Sequence, residues 1–283
     1  MSELRSPCPK CGRGLRDRTL ATNAESRVFF CHRCGYRGRE GGVARVPLTS
    51  RRIITRLDDP VVAQRKRARI ERVSSSSVSL DHRSAWPVRR YLEARGLGEV
   101  LKNPPAVLRA VTALEYWEGT RSLGCLPAMV AIMQSGAGEV VTLHTTYLRA
   151  DGWAKAEVPE PKKIMSLPLA GATKGAAIRL YEPPGRVLGI AEGIESALSL
   201  HLLQRIPVWA SYCADNLVRV QLPRTLKTLY IGVDLDEHGK GEKVAYTLAL
   251  RVTRWASEPE VWIVKPHGEA PRDLNDEIRT RSA

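Results

Sequence analysis

The sequence predicts an α/β protein whose carboxy-terminal third is a parallel sheet with helices on both faces, preceded by a small α+β subdomain and a cysteine-rich front end. Three observations carry this reading. From residue 187 onward, short apolar runs alternate with helix-like stretches, the grammar of successive βα units. Two of those apolar runs end in acidic residues and glycine, at 191–193 and 233–239. Four of the six cysteines fall in two Cys-x-x-Cys pairs at the start of a strongly basic stretch.

Cys8-Pro9-Lys10-Cys11 and Cys31-His32-Arg33-Cys34 are separated by nineteen residues. Tetrahedral Zn²⁺ takes four soft donors, and each tight pair supplies two. Gly12 and Gly35 follow the pairs, where such knuckles need unusual backbone angles. The apolar run 28–30 leads into the second pair like a short strand, so residues 1–42 read as a zinc ribbon. Four cysteines leave no open coordination position, so this zinc is expected to be structural, with His32 an exposed knuckle residue. Disulfides are the competing use, disfavoured in a cytoplasmic chain. Cytoplasmic is the expectation because the start lacks an apolar signal segment. No run of about eighteen apolar residues occurs that could span a membrane.

Formal net charge over the 283 residues is +14. Residues 1–80 carry 18 Lys/Arg against 7 Asp/Glu, a surplus of +11 that leaves only +3 for the remainder. A basic front end suits a polyanion, because Lys and Arg displace counterions from phosphates; the competing use is a solubilising arm. In the ribbon Arg13, Arg16, Arg18, Arg27, Arg33, Arg37 and Arg39 interleave with Phe29, Phe30 and Tyr36. Cations beside stacking faces suit single-stranded nucleic acid, although at least one Phe is expected to fill the ribbon core.

Residues 43–80 lack sustained periodicity and contain Arg51, Arg52, the basic run 65–69 and the serine tract 74–77. They read as a basic flexible linker, with room for a short helix near 61–73. Residues 81–184 are globular in composition. A helix is predicted from Pro87, ending before Gly96, and two strands at 127–133 and 139–147 flank the turn 135–138. His144 lies in the second strand and receives no role. Cys125 and Cys213 read as buried small side chains.

Residues 185–283 then alternate: strand 187–191, helix 194–204, strand 207–211, helix 214–220, strand 228–233, helix 241–255, strand 260–264 and a terminal helix after Pro271. Val244, Leu248 and Val252 repeat on one helical face, as packing on a sheet requires. Ligands of open α/β sheets bind outside the carboxyl ends of the strands, where Glu192, Asp234 and Asp236 stand. Asp234 and Asp236 project to one side of an extended segment. Converging carboxylates repel unless a cation or proton sits between them, and Mg²⁺ is the simplest solution.

Ala191-Glu192-Gly193-Ile194-Glu195-Ser196-Ala197, followed by Gly232-Val233-Asp234-Leu235-Asp236, resembles the Toprim domain of bacterial-type DNA primases, topoisomerases, certain nucleases and a recombination mediator. Arg272-Asp273-Leu274-Asn275-Asp276 resembles the segment that closes this domain in phage and plasmid primases. The resemblance implies nucleotidyl transfer. Asp234 and Asp236 would hold Mg²⁺ or Mn²⁺, with Glu192 a further ligand or the general acid/base. Asp273 and Asp276 would orient that site, and Glu195 and Glu237 are weaker candidates. More loosely, residues 140–180 resemble the basic-groove subdomain that precedes Toprim in primases. That likeness makes Lys155, Lys162 and Lys163 candidates for template or nucleotide phosphates.

The function so implied is a DNA primase of a phage, plasmid or other mobile genetic element, making short RNA primers from NTPs on a single-stranded DNA template. No Gly-x-x-x-x-Gly-Lys-Ser/Thr loop occurs, so a separate replicative helicase is the expected partner. A Toprim nuclease and a non-catalytic recombination or replication mediator are the alternatives. A topoisomerase is not expected, since its catalytic tyrosine lies in a large further domain.

Overall fold

The two cysteine turns shape the front of the chain, and the apolar runs shape the rest. The computed structural model describes residues 3–12, 17–39, 60–166, 171–182 and 185–282. It divides the chain into Met1–Thr55 and Arg56–Ala283. Arg13 and Arg16 of the basic ribbon set, and residues 43–59 of the tether, lie outside the described residues.

In the first unit β1 (Glu3–Ser6), β2 (Leu20–Asn23), β3 (Val28–Cys31) and β4 (Arg37–Arg39) form an antiparallel sheet in sequence order. Side chains alternate along β3, so Phe29 packs with Tyr36 on the Cys8, Leu20 and Cys31 core while Phe30 faces outward. One Phe fills the core and the other is left exposed.

The second unit opens with a helix, α1 (Pro60–Ser76), inside the stretch read from sequence as flexible. Tertiary contact overrides composition here. Arg109 donates to the Ser77 hydroxyl at 2.6 Å and to its carbonyl at 2.7 Å, and β5 (Val78–Ser79) pairs with the strand that carries Arg109. The serine tract is therefore anchored at its end, with Ser77 buried. After α2 (Trp86–Ala94), the strands β6 (Leu108–Glu118), β7 (Arg121–Gln134), β8 (Val140–Tyr147) and β9 (Lys162–Ile164) complete a five-stranded antiparallel sheet. The sequence reading missed β6. The β6–β7 hairpin extends past the core, which leaves Cys125 exposed rather than buried; Cys213, just before a helix, is half-buried.

Residues 177 and 178 join this sheet to the next. Ala177 exchanges two backbone hydrogen bonds with Gln134 of β7, and Ile178 exchanges two with Ala210. The carboxy-terminal elements are β10 (Val187–Ala191), α3 (Ile194–Gln204), β11 (Val208–Ala210), α4 (Ala214–Leu217), β12 (Thr228–Gly232), α5 (Lys240–Val252), β13 (Glu260–Val264) and α6 (Leu274–Ser282). The four strands are parallel in the order β11-β10-β12-β13. Leu188, Ile190, Leu229 and Ile231 face α5 through Val244, Ala245, Leu248 and Val252. Residues of opposite parity face α3 and α6, so helices cover both faces.

Gly189 sets how closely α3 approaches. A Cβ there would lie 2.9 Å from both Leu200 and Val208 side-chain carbons and 3.1 Å from Ile206. Gly189→Val is expected to destabilise the protein by about 1–3 kcal/mol through overpacking. A urea midpoint equal to wild type would refute this.

Candidate functional site

The four cysteine sulfurs of the ribbon all lie within 4.8 Å of one another. Cys8 Sγ is 3.7 Å from Cys34 Sγ, and Cys11 Sγ is 3.6 Å from Cys31 Sγ. A tetrahedral Zn²⁺ with Zn–S of about 2.3 Å has S–S edges of roughly 3.8 Å, so the donor set fits that ion. Gly12 N–H donates to Cys8 O, and Gly35 N–H to Cys31 O, closing each knuckle. Burial pushes the Cys31 thiol up, but the backbone N–H groups of Cys34 and Arg33 outweigh it and bring it to about 6. Cys11 moves the other way, pushed up to about 12 by its hydrogen bond to Cys34 and by burial. A cation would therefore meet Cys31 as thiolate and would have to displace the Cys11 proton.

The second constellation lies at the carboxyl edge of the parallel sheet. Glu192 follows β10, and Gly193 then caps α3 in extended backbone. Burial raises the Glu192 carboxyl, Asp236 adds to the rise, and the Ala214 N–H with Lys240 and Lys162 opposes it. Asp234, just beyond β12, accepts a 2.8 Å hydrogen bond from Ser196 Oγ. Burial pushes it up to about 6, with Asp273 and Glu192 contributing repulsion. Asp236 behaves oppositely. Its carboxylate accepts from the N–H groups of Gly241 (2.7 Å), His238 (2.9 Å) and Lys240 (3.1 Å), which hold it low. That loop needs glycine at 241, where a Cβ would fall 2.1 Å from the Asp234 carbonyl oxygen.

The three acids therefore share one edge and feel one another's charge, but not as a closed cage. Among the described residues only the four cysteines bring three or more ligand atoms within 4.8 Å. Such an edge suits Mg²⁺, which takes one or two carboxylates and completes its shell with water and phosphate. Asp273 adjoins this edge, close enough to raise Asp234, and also caps α6. Its Oδ1 accepts from Asn275 and Asp276 N–H, and Asp276 Oδ2 accepts from Asp273 N–H in return. Paired backbone bonds between Leu235 and Arg272 bring the segment to the acids. Glu237 is exposed.

Glu195 is the residue whose importance sequence reasoning underrated. It is 3% exposed, yet accepts from Tyr91 OH at 2.6 Å and Lys162 Nζ at 2.9 Å, with Lys155 Nζ at 3.7 Å. Burial opposes its charge, but the two lysines and the two hydrogen bonds hold it well below the usual carboxylate range. Lys155 is lowered by burial, against the pull of Glu195. Lys162 also feels Glu192 and Asp234, so it stands between the acidic edge and the subdomain. Lys163 does not join this site. Strand alternation turns it to the other face, where it donates to the Trp117 carbonyl at 2.5 Å and lies over the Tyr116 ring. Buried His144 is brought down to about 4 by burial and by Lys162, and so stays neutral. Of the residues at this site not assigned a role from sequence, Ser196 carried a signal, its place in the turn after Glu192, and Tyr91 carried none.

Comparison with known proteins follows this division. Residues 187–283 match the Toprim domain family, and residues 64–175 match the family described as Domain of unknown function (DUF7146). No curated protein matches the chain. The DnaG primase catalytic domain, solved bound to ssDNA, is similar over 78% of this chain and 76% of its own, with TM-score 0.50 and 16% identity. The zinc-binding and RNA polymerase domains of Aquifex aeolicus primase align over 99% and 76%, with TM-score 0.48 and 16% identity. The primase fragment of the bacteriophage T7 primase-helicase aligns over 100% of both chains, with TM-score 0.41 and 13% identity. The DnaG likeness establishes a primase-like fold. No described helix is long and apolar enough to cross a membrane.

Two consequences concern stability. The raised Asp234 pKa, from 3.8 to about 6, means that the folded state holds this proton more firmly than the unfolded chain. Asp234 thus destabilises the fold increasingly as pH rises from about 4 to 6, by up to about 3 kcal/mol. Asp234→Asn should raise the melting temperature above pH 6 in EDTA and leave it unchanged below pH 4. A pH-independent loss would contradict the argument. Glu195 has the opposite sign, stabilising above the ordinary carboxylate range and losing that contribution as pH falls. Because each lysine is about one-third exposed, Glu195→Gln should cost about 2–3 kcal/mol at pH 7. Urea melts across pH would test this, and a cost that persists undiminished in acid would count against the ion pairs.

Proposed function

We propose that this chain, whose residues 187–283 are a Toprim domain, is a DNA primase that joins ribonucleotides on single-stranded DNA. The observation that carries the reading is the juxtaposition of Glu192, Asp234 and Asp236 with Lys162 and Lys155, anchored on Glu195. A nucleotide triphosphate needs both signs of charge at once. Its phosphates need cations, and its reacting hydroxyl needs a nearby base.

Asp234 and Asp236 are assigned to hold Mg²⁺ or Mn²⁺, with Glu192 a further ligand when ionised. The bound ion would neutralise charge on the triphosphate and on the departing pyrophosphate. Lys162 and Lys155 would contact nucleotide or template phosphates, aimed by their ion pairs to Glu195. Transfer joins the 3′-oxygen of one nucleotide to the α-phosphorus of the next, breaking the α–β phosphoanhydride bond. Glu192, its carboxyl raised by burial, is assigned to take the proton from the 3′-hydroxyl. Ser196 keeps Asp234 oriented through its 2.8 Å hydrogen bond. The cysteine set is assigned a structural Zn²⁺, closed to water by four sulfurs. The ribbon's outward Phe30 and exposed Arg37, paired across β3 and β4, would offer a stacking and charge surface for the template.

Purified protein with single-stranded DNA, labelled NTPs and Mg²⁺ should yield short labelled oligonucleotides, and Asp234→Ala should yield none. Shortening of the DNA without synthesis would make the protein a nuclease. Binding with neither product, repeated with a replicative helicase added, would make it a mediator, and synthesis that returns with the helicase would make it a primase dependent on that partner.

A further inference from the structure

A second basic site lies away from the acidic edge. A cavity of about 510 Å³ is walled by Arg179, Arg219, Arg224 and Arg251, with the indoles of Trp209 and Trp255. Arg219 and Arg224 lie on the segment that leads into the amino end of β12, and Arg251 and Trp255 close the carboxyl end of α5. Arg179 and Trp209 come from the segment before β10 and from β11, whereas the acids follow the carboxyl ends of β10 and β12. We propose that this cavity binds the phosphates of a nucleotide or of a nucleic-acid strand.

Charge is the first argument. Four guanidinium groups face one carboxylate, Glu182, which is itself largely exposed and 3.7 Å from Arg179. Among the described residues no carboxylate lies within 4.0 Å of the Arg219, Arg224 or Arg251 guanidinium. Arg251 is lowered by burial and by the neighbouring Arg224, so this positive charge is crowded and uncompensated. A multiply charged anion removes that repulsion.

Geometry is the second. Arg179 stacks over Trp209 at 4.6 Å and Arg224 over Trp255 at 4.3 Å. Arg179 donates from Nη2 to the Ser135 and Gly136 carbonyls. Arg224, held by its face, has no N–H partner among the described residues and can donate in plane, the arrangement that grips phosphate oxygens in pairs. Buried Arg251 Nε and Trp209 Nε1 also lack acceptors. The volume exceeds what one phosphate group needs and admits a di- or triphosphate or a strand segment. Backbone carbonyls of Ser135, Gly136, Asp215 and Val220 take single N–H bonds from these arginines and so preset their positions.

The test uses the full chain in EDTA. Calorimetric titration with inorganic tripolyphosphate is paired with anisotropy of a labelled oligo-dT, for wild type and for Arg219→Ala/Arg224→Ala. Both arginines are exposed, and an unchanged melting temperature verifies the fold; Arg224→Gln alone serves if the double variant melts early. Loss of about tenfold or more in tripolyphosphate affinity supports the site with a free nucleotide as source. The same loss for oligo-dT alone supports it with a strand as source. Equal affinities of variant and wild type for both probes overturn it. Preferential binding of poly-glutamate to this face also overturns it, in favour of an acidic protein partner.

Discussion

A carboxylate that is 3% exposed keeps its charge only if its surroundings replace water completely. Glu195 meets this condition with Lys162, Lys155 and Tyr91, drawn from β9, from the turn before it and from α2. All three partners belong to the antiparallel subdomain, while Glu195 belongs to the first turn of α3. Beside the backbone bonds of residues 177 and 178 and the shared apolar core, these contacts tie the two sheets together where the acidic edge begins. Glu192 and Glu195, three residues apart, are pushed in opposite directions by their environments. One is kept ionised to fix cations in place. The other is raised by burial, the direction that would strengthen it as the base proposed above.

The carboxy-terminal fold was legible because buried parallel strands are written as unbroken apolar runs, such as 187–191 and 229–233. The acids at their ends were legible for the same reason, since a strand end fixes where a side chain stands. β6 was not, because Glu115 and Glu118 fall on its exposed outer half and break the apolar pattern. The helix near 61–73 was open to sequence, but the order of the serine tract that ends it was not, because that order comes from Arg109, 32 residues on. Composition carries no trace of such a contact. The lysines failed in a third way. Lys162 and Lys163 differ only in parity along a three-residue strand, and nothing local in sequence assigns that parity.

The two aspartates of the Asp-x-Asp motif are not equivalent, and the difference follows from their donors. Asp236 receives three backbone N–H groups from the loop that opens α5, so its charge is satisfied by the fold itself. Asp234 receives one hydroxyl and faces two other carboxyl groups. Asp236 thus shapes the loop while remaining an anion, and Asp234 carries unrelieved repulsion. A cation arriving at this edge gains most from Asp234. The fold has spent the donors of one carboxylate on structure and left the other short of partners. In the proposed function, that asymmetry is what a cation at this edge would use, since it would relieve the repulsion on Asp234.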